Sequence, residues 1–380
     1  MRTIFTVCKV SRVLALGAVL LAGGLGGCAK DPTDPSLGGT GTGAISGGAG
    51  GDSGGPVVPR NPVAEHGALQ VVGTQLVDAA GAPVQLKGAS SMWLNWETRR
   101  FAESKPALEY ARDHWKLSVI RAAMGTEAQG GYLSMTSRPG MQTRVEQIVQ
   151  NAIDLGLYVI VDWHTEKANT QTADAVDFFM ALAQKFGTSP NLIYEPYNEP
   201  NGVAWPQVKA YHETVVAAIR GVDPDNIIVL GTPNFSQDVD VAAMTPVVGT
   251  NLLYTLHFYA CTHKGSLRAK AEQAMALGVG LFITEFGATP ADGGVAANKD
   301  NNICAGEANT WFSWMATNGI SGTAWKLEQC TDSSCILAST APADGPWTDA
   351  ELTNDSAGTP VTGGVQGGGH GQLVVNWMRQ

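Results

Sequence analysis

Positive charge is the first thing this sequence is short of. Across 380 residues, 24 Lys and Arg stand against 34 Asp and Glu, a formal charge of −10, and no segment gathers its cations into a stripe. Phosphate binding needs clustered Lys and Arg, so a nucleic-acid partner is excluded. Paired cysteine motifs are missing too, because no CxxC is matched by a second at zinc-site spacing, and no structural zinc is expected. The stretch KGASSMWLNW that continues the first apolar run of the globular part contains no GxGxxG, which removes the phosphate loop of a dinucleotide fold. The N-terminal run VLALGAVLLAGGL is too short to cross, as a helix, a hydrocarbon layer of about 30 Å.

That run does match another use. Arg2, Lys9 and Arg12 precede it and it closes on LGGC at Cys28, the order of a secretory signal. The ending resembles the lipobox of bacterial lipoproteins, which implies cleavage and lipid attachment at Cys28. Residues 1–28 are therefore predicted to be a lipoprotein-type signal peptide. The segment from 29 to 65 is rich in Gly, Ser, Thr and Pro with few large apolar side chains, so it cannot bury enough surface to offset its ordering entropy. It is predicted to be a disordered tether with a mean span on the order of 30 Å. Residues 66–380 are then expected to form one globular domain, held at a membrane only through the lipid, and to be a monomer. Apart from Cys8 and Cys28, four cysteines remain (Cys261, Cys304, Cys330, Cys335), an even number in an exported chain, and their three possible pairings stay open at this level.

With 44% hydrophobic residues, the domain has ample material for one large core. Eight short apolar runs recur along it: 84–90, 117–124, 157–164, 191–199, 226–233, 252–260, 280–287 and 321–328. Val, Ile and Leu without strict alternation are the mark of parallel strands buried on both faces. Segments of helical period lie between them. In TRVEQIVQNAIDLG, Val145, Ile148, Val149, Ala152 and Ile153 share one face, and the segments beginning at Thr172, Trp205, Ser266 and Gly306 read the same way. Strand-helix alternation on this scale predicts an α/β fold, a TIM (β/α)8 barrel, ahead of an open doubly wound sheet. The earlier stretch LQVVGTQLVDAAGAPVQ reads as a hairpin turning at Gly81 that plugs the barrel bottom.

Catalytic groups of such barrels sit at the C-terminal ends of strands. Reading those ends gives Arg121, His164, Asn198 with Glu199, His257 with Tyr259, Glu285 and Trp325. A lone His or Trp at a strand end is ordinarily structural; their convergence on one rim points to a site. Glu199 and Glu285 are the two carboxylates that glycoside hydrolysis requires, on the fourth and seventh strands.

The motifs RAAM, VDWH, LIYEPYNEPNG, GTPNFSQDVD, LHFYACTH and LFITEFG, in that order, resemble the retaining cellulases of glycoside hydrolase family 5, over about residues 70 to 347. The resemblance implies that Glu199 is the general acid/base and Glu285 the nucleophile. It implies Arg121 and Tyr259 beside Glu285, stabilising its charged form, and Asn198 on the sugar 2-hydroxyl. His164 and His257 are expected in the same network, with Trp325 and Trp96 as stacking faces for pyranose rings. No cofactor is implied. A metal hydrolase built on His164 and His257 lacks a third ligand, so no metal is expected either. The expected partner is a β-glucan polysaccharide, cut by double displacement.

The chain departs from the family pattern on the substrate side. Met92 stands where the family has His, Phe235 where it has Trp, and the family Lys near Cys330 is missing. Those positions grip sugars, so another β-glycan (mannan, xyloglucan, mixed-linkage glucan) is the alternative substrate, and a non-catalytic glycan binder the alternative class. Cys261 with Cys304 and Cys330 with Cys335 are the pairings expected across neighbouring barrel loops.

Overall fold

The computed structural model describes residues 59–97, 99–127, 129–291, 303–329, 333–345, 347–348, 351–352 and 369–380. The expected signal region, Cys28 and most of the expected tether lie outside them. Among the described residues no helix is long and apolar enough to cross a membrane. The described residues include contacts ahead of residue 66, the expected start of the domain. Asn61 caps a short helix α1 (Pro62–His66) by accepting the Ala64 N–H at 2.8 Å, and Arg60 donates to the Lys116 carbonyl at 2.9 Å.

The apolar runs form eight parallel strands of one closed sheet. In chain order, after the antiparallel pair β1 (Gln70–Val72) and β2 (Gln75–Val77), they are β3 (Lys87–Ser91), β4 (Val119–Gly125), β5 (Tyr158–His164), β6 (Leu192–Glu195), β7 (Ile228–Leu230) and β8 (Leu252–Thr255). A two-residue extension β9 (Phe258–Tyr259) follows, then β10 (Leu281–Gly287) and β11 (Ser321–Leu327). Each barrel strand pairs with the next, and β11 pairs with β3 to close the ring. The fold is a TIM barrel, as predicted.

Helices α2 (Lys105–Trp115), α3 (Arg138–Leu155), α4 (Thr172–Phe186) and α5 (Trp205–Arg220) fill the first connections. A single turn α6 (Pro233–Ser236) leads to α7 (Val239–Met244), and α8 (Gly265–Ala276), α9 (Ala305–Asn318) and α10 (His370–Arg379) complete the shell. The α3 face read from the sequence is the buried one, with Val145, Ile148, Val149 and Ala152 in the core and Ile153 at its edge. α3 stops at Gly156, whose φ of 68° takes the left-handed conformation glycine adopts freely.

Strand residues divide into two sets by the period of two. Ile120, Ala122, Val159, Val161 and Tyr194 belong to the core shared with the helices. Val119, Ile160, Ile193, Leu253 and Phe282 form a separate apolar cluster with Leu69, Leu76, Val84 and Leu86, so the hairpin segment does close the barrel floor. Its strands turn at Gly73 rather than Gly81; Gly81, at φ 84°, serves the next turn, which brings Pro83 back against Val77. Two residues up each strand from that floor stand Arg121, Asp162, Glu195, Thr255 and Thr284, all buried. The barrel therefore carries a polar middle layer under its catalytic face.

Three strand ends differ from the sequence reading. Arg121 is the third residue of β4, inside the barrel rather than at its rim. β6 stops at Glu195, because Pro196 has no N–H for the ladder, and Glu199 stands on the loop beyond it. The run from 252 to 260 breaks into β8 and β9, where the His257 N–H turns aside to the Ser236 carbonyl at 2.9 Å.

Candidate active site

Arg121 organises the middle layer. Its Nε donates to Glu195 Oε2 at 2.7 Å, Nη2 donates to Asn198 Oδ1 at 2.7 Å and lies 2.9 Å from Asp162 Oδ2, and Nη1 donates to Glu285 Oε2 at 3.1 Å. The guanidinium is wholly buried. Burial opposes its charge, but the surrounding carboxylates outweigh that and hold its pKa above the ordinary value. One cation does not satisfy all three acids equally. Burial pushes Asp162 up to about 8 and Glu195 up to about 7, against the pull of Arg121.

Glu285 reaches the cavity through an irregularity in β10. The register with β11 shifts between Ile283 and Phe286, and the consecutive residues Thr284 and Glu285 both serve the interior. Thr284 enters the middle layer; Glu285 stands above it. Tyr259 donates its hydroxyl to Glu285 Oε1 at 2.6 Å, so each carboxylate oxygen accepts a bond, one from a cation and one from a phenol. Burial, then the Glu285 charge, drives the Tyr259 pKa well above 10, so its hydroxyl keeps the proton it donates.

Glu199 sits in the opposite condition. Its Oε1 lies 2.8 Å from His257 Nδ1, and its side chain keeps about 19% exposure toward the cavity. Burial, reinforced by Glu166, Asp162 and Glu195 and opposed by Arg121, pushes it up to about 8. His257, lowered to about 4 chiefly by burial, is neutral. Thr284 Oγ1 donates to Glu195 Oε1 at 2.6 Å, so its lone pairs receive the His257 Nε2–H at 3.0 Å. This tautomer leaves Nδ1 as the acceptor for a proton held by Glu199. The cavity side of the protein thus contains one carboxyl that retains its proton and one that accepts two donors.

Both open into a cavity of about 250 Å3 lined by Met92, Trp93, His164, Asn198, Tyr259 and Trp325 as well as the two glutamates. The Asn198 Oδ1 is taken by Arg121, which turns its amide nitrogen to the remaining side. His164 Nδ1 is bonded to Asp162 Oδ2 at 2.5 Å; burial first, then the Arg121 charge, lowers its pKa well below the ordinary value, and its ring lies parallel to Trp325 at 5.5 Å. Ligand atoms of Glu199, His257 and Glu285 lie within 4.8 Å of one another, close enough to hold a metal ion. Both Glu285 oxygens and both His257 nitrogens are already hydrogen-bonded, however, and Arg121 supplies the positive charge there.

Of the described residues singled out from sequence, Arg121 lies below its expected rim position, and Trp96 lies away from the cavity. It is half exposed and outside the cavity lining, stacked on Trp93 at 4.5 Å. The turn after β3, with the Trp96 and Glu97 N–H groups on the Trp93 carbonyl, puts Trp93 inside and Trp96 behind it. Lys326 was also missed: it brings an ammonium into the cavity wall over the Trp325 ring at 5.7 Å, where the sequence reading had found only the loss of a Lys near 330. Asp162, Glu195 and Thr284 went unread as well. Their signal was the period of two, since each sits two residues above a floor residue. Cys261 and Cys304 are disulfide-bonded, as expected, bracing the segment after Glu285. Cys335 is disulfide-bonded too, and its expected partner Cys330 lies outside the described residues.

Known proteins similar to this chain share one family. The profile of the family described as Cellulase (glycosyl hydrolase family 5) matches residues 77–331. An endoglucanase of Clostridium saccharobutylicum is 42% identical over 292 residues, 76% of this chain and 63% of its own length. Endoglucanase Z of Dickeya dadantii is 42% identical over 243 residues, 63% of this chain and 55% of its own. The chain thus spans less than two thirds of either relative. Among solved structures, the catalytic domain of a Thermobifida fusca endoglucanase superposes with a TM-score of 0.74 at 30% identity, covering 84% of this chain and 100% of that domain. A variant of that domain has been solved in complex with cellotetraose.

Proposed function

The chain belongs to glycosyl hydrolase family 5, and from that membership we propose that it is an endo-β-1,4-glucanase that retains anomeric configuration. The observation that carries this is the pairing of Glu199 and Glu285 across one cavity. A ligand oxygen of each lies within 4.8 Å of the other, near the roughly 5 to 5.5 Å of retaining enzymes and short of the roughly 6.5 to 9.5 Å that inverting ones need for a water. The names of the curated relatives and the cellotetraose complex of a structural neighbour favour β-1,4-glucan as substrate.

Glu285, aligned by Arg121 and Tyr259, attacks the anomeric carbon as Glu199 passes its proton to the departing glycosidic oxygen. A glycosyl ester on Glu285 results. Forming that ester removes a negative charge near Glu199, which lowers the pKa of Glu199 and suits it to take a proton from the incoming water. The water's oxygen then displaces Glu285 from the anomeric carbon. Asn198 is the donor for the sugar 2-hydroxyl, and Trp325 and Trp93 are the apolar faces for the ring. Met92, Trp93 and Lys326 in the cavity wall are where a different β-glycan would be accommodated.

A reducing-sugar assay of the parent, Glu285→Gln and Glu199→Gln on cellulose, mixed-linkage glucan, mannan and xyloglucan tests the proposal. Glucan should be preferred and both variants should lose at least about 100-fold. Undiminished cleavage by Glu285→Gln would overturn the nucleophile assignment. The chain is further proposed to be exported and held by lipid on Cys28, on the strength of the LGGC ending. Cys28→Ser should then move it from the membrane fraction to the soluble one, and membrane association retained by that variant would contradict the anchor.

A further inference from the structure

Asn234, Phe235 and Ser236, in the turn α6, hold φ values of 59°, 57° and 56°. Left-handed backbone crowds the Cβ against the carbonyl, so residues other than glycine adopt it singly and at a cost. Three in succession, one of them aromatic, persist only where the surroundings hold them, and such outliers gather at functional sites.

The contacts of this turn surround Glu199 in the chain and reach its imidazole partner. The Ser236 hydroxyl, fully buried, donates to the Asn198 carbonyl at 2.7 Å. That carbonyl belongs to the peptide whose N–H is Glu199, and the N–H in turn reaches the Thr165 carbonyl beyond β5 at 3.3 Å. On the other side of Glu199, the Phe235 N–H donates to the Pro200 carbonyl at 3.1 Å. The Ser236 carbonyl accepts the His257 N–H at 2.9 Å, and His257 is the partner of the Glu199 carboxyl.

We propose that the left-handed turn Asn234–Ser236 is a positioning device for Glu199, with Ser236 as its positioning residue. The turn clasps the carbonyls on either side of Glu199 and sets the imidazole that accepts the hydrogen bond from its carboxyl. Glu199 lies on a loop past the end of β6 and has no strand ladder to fix it; the clasp supplies that fixity. The inference rests on the acid/base reading of Glu199.

A misplaced acid harms only reactions whose leaving group needs a proton. The test is kcat/KM, which reports the first bond cleavage, on cellotetraose and on 2,4-dinitrophenyl β-cellobioside, whose leaving group departs unprotonated. Ser236→Ala should lose on the order of 10- to 100-fold on cellotetraose and less than about threefold on the aryl glycoside. Ser236→Gly removes the same hydroxyl without placing a Cβ at φ 56°, so it guards against a folding defect and should show the same split. Glu199→Ala, run beside them, should show it more steeply. Equal loss on both substrates by the Ser236 variants, or no loss on either, while Glu199→Ala splits them, would overturn the clasp. Equal loss by Glu199→Ala would instead remove the acid/base assignment beneath it.

Discussion

Arg121 Nη1 lies 3.1 Å from Glu285 Oε2, and the same buried guanidinium pairs with Glu195 at 2.7 Å. The side chain that orients the proposed nucleophile is therefore also the cation that makes the middle layer tolerable. Arg121→Met should leave buried acids without a counter-charge and destabilise the fold by about 3 to 5 kcal/mol. Arg121→Lys keeps the charge but loses the fork that reaches several partners at once, and should be impaired less. Urea unfolding and kcat/KM measured on both variants check this; unchanged stability in Arg121→Met would show that the layer carries itself.

Glu199 gives a pH dependence with a definite sign. Its folded pKa of about 8 stands above the ordinary glutamate value of 4.5, chiefly through burial, so the fold favours the protonated carboxyl. Ionising it penalises the folded state progressively as pH rises from about 4.5 to about 8. Glu199→Gln should gain melting temperature relative to the parent across that window and level off above it. The basic limb of kcat/KM in the parent should fall through about pH 8, where the acid loses its proton. A basic limb lying near pH 5 would contradict the burial argument.

Trp93 and Trp96 separate by position. Trp93 lines the cavity and Trp96 only backs it. Trp93→Ala should raise KM for soluble glucan by roughly 3- to 10-fold, the equivalent of one aromatic contact, and Trp96→Ala by less than about twofold. The reverse order would restore Trp96 as the stacking face.

The Cys261–Cys304 bridge closes a loop with a sequence separation of 43. By chain entropy, a loop of that length restrains the unfolded state by about 4 kcal/mol. Cys304 also donates its N–H to the Ala288 carbonyl at 2.8 Å, three residues past Glu285. Replacing both cysteines by Ser should lower the melting temperature clearly and kcat modestly; a melting temperature unaffected by the double change would show that the loop is restrained by other contacts.

The sequence by itself determined the barrel and brought Glu199 and Glu285 forward as candidate acids. Parallel strands buried on two faces must be apolar along their length, so the eight runs were visible, and groups at their C-terminal ends stood out because polar residues are costly next to a core. Glu195 was in view in LIYEP, but it read as part of the strand, because a strand pattern cannot say what an inward carboxylate meets. Only closure of the barrel brings Arg121, Asp162, Glu195 and Thr284 within hydrogen-bond distance, from strands up to 163 positions apart (Arg121 to Thr284). The order of Trp93 and Trp96 was decided by one turn after β3, and the reach of Glu285 by a register shift in β10. Local periodicity carries the identity of an element. The protonation of Glu199, the pairing of Glu285 and the clasp of Ser236 depend on burial and on neighbours remote in the chain, and those exist only after folding.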